Sequence, residues 1–170
     1  TADGASIVEF HATAAPDSPA SFTVLDGDAQ TGPAGRALEH PLRVVVKDAN
    51  GNAIPGLSID FAATTDGASV SPTTAVSDAS GVAATTLTLP RSPGPATLTA
   101  ALDVETSLPP LEASATAVAG PATHFRVEGV PSPVAAGTAT GATATALDAF
   151  DNVATTYTGP AHAVSSDAHA

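Results

Sequence analysis

Hydrophobic and polar positions alternate with a period of two in several runs of this chain, the pattern of strands that bury one face. In Leu42-Arg43-Val44-Val45-Val46-Lys47, residues Leu42, Val44 and Val46 share one side, and Arg43 and Lys47 point the other way. In Leu57-Ser58-Ile59-Asp60-Phe61, the trio Leu57, Ile59 and Phe61 is inward and Ser58 with Asp60 faces water. Further runs are Val82 to Leu89, Thr97 to Leu102 and Leu111 to Val118, joined by Phe22 to Leu25 and a weaker strand near Val70. Turn signals separate them: Asp48-Ala49-Asn50-Gly51-Asn52, Ile54-Pro55-Gly56, Ser77-Asp78-Ala79-Ser80-Gly81 and Pro93-Gly94-Pro95. Asn-Gly accepts positive φ and Pro-Gly suits a tight turn. The prediction is about seven short strands in about 100 residues, closed into a two-layer sandwich.

The pattern also repeats. Ala12-Thr13-Ala14 leads into Phe22-Thr23-Val24, and Ala115-Thr116-Ala117 leads into Phe125-Arg126-Val127, 103 residues on in both cases (12 to 115, 22 to 125). Asp48-Ala49-Asn50-Gly51-Asn52 returns as Asp148-Ala149-Phe150-Asp151-Asn152, 100 residues on (48 to 148). Such a period marks an array of like units. The expected fold class is therefore all-β, with tandem immunoglobulin-like β-sandwich domains. Residues 1–15 read as the last strand of a preceding repeat, 19–118 as a complete domain, and 121–170 as the N-terminal part of a further, incomplete one. Pro16-Asp17-Ser18-Pro19 and Ala119-Gly120-Pro121 are the junctions, short and stiffened by proline. In the second unit Phe125 and Val127 are expected inward, with His124, Arg126 and Glu128 outward. That unit lacks about its last three strands, which leaves an apolar face to be covered by further chain or by another chain.

Of the 170 residues, 43% are hydrophobic but only 4% aromatic, with no Trp, so the core must be built from Ala, Val, Leu and Ile with a few Phe. Strong helix formers are scarce, and no long helix is expected. There is no Cys and no Met, which removes disulfides, thiol catalysis and cysteine-ligated zinc. The net charge is −12, and the five cations (Arg36, Arg43, Lys47, Arg91, Arg126) are scattered. Such a surface repels phosphate backbones and anionic lipid, so no nucleic-acid partner is expected. No run approaches the roughly 18 apolar residues of a membrane span, so direct membrane insertion is not expected either.

Candidate chemistry is thin. Asp48, Asn50 and Asn52 begin with the spacing of a calcium loop, but Ala53 stands where that loop needs Gly and Ile59 where it needs a bidentate Glu. The turn-only reading is preferred. A junction calcium site from Asp17, Asp26 or Asp28 competes with ordinary solvated loop carboxylates. The histidines His11, His40, His124, His162 and His169 are spread out, none at metal-ligand spacing with another. No Gly-x-Ser-x-Gly elbow is present. Lys47, the only lysine, lies on an outward face beside a turn, poorly placed for a covalent cross-link. No catalytic, cofactor-binding or metal residue is therefore assigned, no cofactor is expected, and the chain is read as a non-enzyme.

The run Val44 to Phe61, with Ser77-Asp78-Ala79-Ser80-Gly81-Val82-Ala83 and Ala96-Thr97-Leu98-Thr99-Ala100, resembles the bacterial immunoglobulin-like (Big) repeats of the invasin and intimin group. The resemblance covers residues 19–118. Gly141 to Gly159 resembles related repeats of bacterial surface proteins, departing in having Asp151 where Gly is usual. The resemblance implies an extracellular location, at the bacterial cell surface or secreted, and a stiff stalk or spacer in an adhesin or fibre. Its partners would be neighbouring Ig-like repeats in the same or adjacent chains, with any host or cell-surface ligand engaged through other domains. Two alternatives are a filament subunit assembled by β-strand complementation and a carbohydrate- or receptor-binding module. The second needs clustered exposed aromatics or Arg, and the sequence offers Tyr157 and scattered Arg.

Overall fold

The protein is described by a computed structural model covering residues 9, 15–131, 133–135, 137–162 and 164; the proposed strand of a preceding repeat at 1–15 falls almost wholly outside the described residues, as do His11 and His169. Among the described residues there are eleven strands and no helix. They are β1 (Ser21–Asp26), β2 (Gln30–Pro33), β3 (Leu42–Lys47), β4 (Ser58–Ala63), β5 (Ser69–Ser71), β6 (Thr74–Val76), β7 (Val82–Thr88), β8 (Gly94–Leu102), β9 (Leu111–Val118), β10 (His124–Glu128) and β11 (Thr143–Leu147). The all-β expectation holds.

The strands β1 to β9 form two sheets, ordered β1-β3-β7-β5 and β2-β9-β8-β4-β6. All their pairings are antiparallel except β2 with β9, which run parallel from Gln30↔Ala115 to Pro33↔Val118. The chain changes sheet at every step from β1 to β8, and only β8 and β9 follow each other within one sheet.

Alternation explains the core. Leu42, Val44 and Val46 of β3 and Ile59 and Phe61 of β4 are buried as read, while Leu57 sits just before β4 and is half-buried. From β8 and β9, Ala96, Leu98, Ala100, Ala113, Ala115 and Ala117 turn inward, and Glu112, Ser114 and Thr116 turn outward. β8 and β9 thus present mainly small alanine methyl groups to the larger Leu42, Val44, Val46 and Leu87 of the other sheet, so an interior poor in aromatics is filled by aliphatic side chains. Buried Thr85 satisfies its hydroxyl on the Pro72 carbonyl at 2.7 Å.

The structure contains strands that alternation did not reveal. β2 carries a Gly and a Pro and is held by main-chain bonds to β9, so it has no apolar stripe to read. The single weak strand near Val70 is two three-residue strands, β5 and β6, shared between the sheets. Beyond β9, β10 and β11 pair with each other in a separate two-stranded sheet. There the expected inward placement of Phe125 and Val127 is not realised. All five β10 residues are exposed, because no second layer faces them among the described residues.

Candidate functional site

The arrangement that recurs is a five-residue turn closed by an aspartate. After β3, the Asp48 N–H donates to the Asn52 carbonyl at 2.9 Å and the Gly51 N–H to the Asp48 carbonyl at 3.1 Å. Asp48 Oδ1 accepts from the backbone N–H of Asn50 (2.9 Å) and Asn52 (2.8 Å). Its Oδ2 accepts from the Asn52 amide (2.9 Å) and from the backbone N–H of Asp17 (3.2 Å), in the segment leading into β1. Asp and Asn are suited to this because a short side chain can stand in for a backbone acceptor within a turn.

After β11 the same device is built again. Asp148 Oδ1 accepts from the N–H of Phe150 (2.8 Å) and Asn152 (3.0 Å). Asp148 Oδ2 accepts from the Asn152 amide (3.0 Å) and from the N–H of Gly120 (2.8 Å). Gly120 lies in the connection between β9 and β10, so this carboxylate clasps the segment that carries the chain out of the sandwich. Each turn therefore fastens the segment leading into the strand paired with its own, at Asp17 before β1 and at Gly120 before β10. Asp78 closes a third turn, accepting from Ser80 (2.7 Å) and Val82 (3.0 Å), but it has no Asn four residues on and remains exposed.

Both clasping carboxylates are buried, at 4% exposure for Asp48 and 1% for Asp148. Asp48 is lowered to about 2, chiefly by the Asn52 amide, with backbone donors adding to it against the opposing effect of burial. At Asp148 burial is the largest influence and pushes upward, yet the Asn152 amide and the N–H groups of Gly120, Phe150 and Asn152 outweigh it and hold the group at about 2. Elsewhere Asp28 is lowered, first by the Ser114 N–H.

The other residues weighed from sequence are dispersed. Asp17 offers its backbone to Asp48, Asp26 pairs with Arg43 at 2.9 Å, and Asp28 accepts from Ser114 at 2.7 Å. Asn50 meets Asp48 through its main chain. Among the described residues no group of three His, Asp or Glu side chains gathers in a way that could hold a metal ion. His40 and His162 are exposed, and His124 meets Asp151 at 3.0 Å. Lys47 is exposed at the end of β3. Tyr157 packs edge-on against Phe125, 5.3 Å between ring centroids. The depressions beside Asp26, His40 and Arg43 and beside Pro90 and Arg91 are open to solvent.

Sequence reasoning missed the Gly120 clasp and the bond from the Asn152 amide to the Arg91 carbonyl at 2.7 Å. The signal was available in the repeat: Asp17 and Gly120 are 103 residues apart, the offset of the first strands.

Comparison with known proteins agrees with this architecture. A family profile described as bacterial Ig-like domain (group 1) matches residues 24–118. The structure of the Escherichia coli adhesin FdeC is similar at 25% identity and a TM-score of 0.55, over 80% of this chain and 44% of that one. The D00-D0 domain of intimin is similar at 23% identity and a TM-score of 0.47, over 62% and 50%. Domains 4-9 of the surface layer protein SbsC are similar at 18% identity and a TM-score of 0.45, over 80% and 21%. The chain thus spans half or less of the length of these structures. No curated protein sequence matches it.

Proposed function

The chain belongs to the bacterial Ig-like domain (group 1) family, and from that premise we propose that it is a spacer segment of a bacterial cell-surface protein, holding other parts of that protein away from the cell. On this reading residues 19–118 are one complete domain and 121–170 the beginning of the next, with no catalytic centre in either. The likeness to the structure of the adhesin FdeC supports a cell-surface setting. The observation that carries the reading is where the chain enters and leaves the sandwich. It enters beside the Asp48 turn, where the Ala20 N–H donates to the Lys47 carbonyl, and leaves past Val118, which pairs with Pro33 and accepts from the Ala34 N–H at the opposite end. A module entered at one end and left at the other adds its full length to a chain of such modules.

Small-angle scattering tests this. A globule of this length has a radius of gyration of about 15 Å; the spacer reading expects a clearly larger value with the skewed distance distribution of a rod. A compact particle at the globular value would remove the reading.

Assembly by strand complementation is a second reading, favoured by the exposure of Phe125 and Val127, 42% and 59%, on a face that Tyr157 covers only in part. It expects a concentration-dependent ladder of oligomers by native mass spectrometry, and a monomer at all concentrations rules it out.

A further inference from the structure

Two units joined by a short connection move relative to each other unless something in their interface prevents it. The junction after β9 contains such a feature. Phe150, at the third position of the Asp148 turn, projects onto the far end of the sandwich. A Cβ built on Gly35 would lie 2.4 Å from the Phe150 ring, so the ring rests directly on the Gly35 backbone. Gly35 has φ +69, which makes glycine necessary there twice, for its conformation and for the room it leaves. The Arg91 guanidinium carbon lies over the ring, 5.4 Å from its centroid, within cation–π range. The socket is itself braced, since the Gly35 N–H donates to the Pro90 carbonyl at 2.9 Å, and Asn152 from the same turn as Phe150 donates to the Arg91 carbonyl at 2.7 Å.

The equivalent turn at the other end of the sandwich is shaped alike but carries Asn50 where this one carries Phe150. Phe150 keeps 37% of its surface exposed, so the socket covers part of the ring and leaves the rest to solvent. We propose that Phe150 is an aromatic latch, seated between Gly35 and Arg91, that fixes the angle between the sandwich and the β10–β11 unit. The kind of partner this end of the sandwich accepts is thus an Asp-x-aromatic-x-Asn turn of the unit that follows. On this proposal a unit that enters through an Asp-x-Asn-x-Asn turn lacks the latch, so stiffness along an array is written at one position of the turn. The proposal rests on the spacer reading for its use, not for its geometry.

Residual dipolar couplings and 15N relaxation on the full chain test it. In the wild type one alignment tensor fits the amides of both units, and β10–β11 is as ordered relative to the sandwich as a rigid backbone, about 0.85. F150N installs the residue that the Asp48 turn already tolerates. It should separate the tensors and drop inter-unit order below about 0.6, with the β10–β11 cross-strand contacts kept. F150Y should keep one tensor. If F150N also unpairs β10 from β11, R91A decides, because it removes one wall of the socket and leaves the turn untouched. One tensor in F150N with β10–β11 intact, or one tensor in R91A, overturns the latch. Independent motion in the wild type also overturns it, and a rod-like scattering profile would then leave the spacer reading standing alone.

Discussion

Position 151 shows how one residue can be set against its backbone. Gly51 takes φ +81 in the first turn, and Asp151 takes φ +65 at the same place in the second. A side chain in that region costs roughly 1–2 kcal/mol, less for Asp and Asn than for most. The compensation is a contact with His124 in which both side chains are largely exposed, 45% and 80%, and such surface pairs contribute little. D151G should therefore stabilise the second unit by about 1 kcal/mol; urea titration followed by the Tyr157 signal checks it. The Asp48 and Asp148 carboxylates are also governed at this scale. Their folded values, about 2, lie below the ordinary 3.8. The stability they supply is then complete above pH 4 and is lost as pH falls from there toward 2. Thermal melts across that range should show a falling Tm, and D48N and D148N should each flatten the fall.

At the scale of strands, legibility followed the physics that forms each one. β3, β4, β7 and β9 were readable because a half-buried strand writes its face into the sequence as alternation. The prediction that goes with them is that I59A or L87A, truncating side chains at 0% and 1% exposure, destabilises by about 2–5 kcal/mol in chemical denaturation. V127A on the exposed β10 face should change stability by less than about 0.5 kcal/mol. β2 was unreadable because backbone pairing, not side-chain burial, holds it. β5 and β6 are too short for a period to show. The Asp48 turn could be found from its residues, since Asp, Asn and Gly announce a turn. Its hold on Asp17, and that of Asp148 on Gly120, are long-range contacts that only the three-dimensional path brings together.

For the whole molecule, the 100-residue offset between Asp48 and Asp148 reappears as two turns with matched hydrogen bonds. What periodicity could not convey is how units meet, because that depends on which loops share an end of the sandwich: Gly35, Arg91 and Phe150 are far apart in sequence. The parallel pairing of β2 with β9 has a mechanical consequence if the proposed spacer role is the right one. Tension applied at the two ends drags β2 toward the entry and β9 toward the exit, across evenly spaced rungs that all carry the load at once. A hairpin pulled from its open end yields one rung after another, whereas this pair must shear as a block.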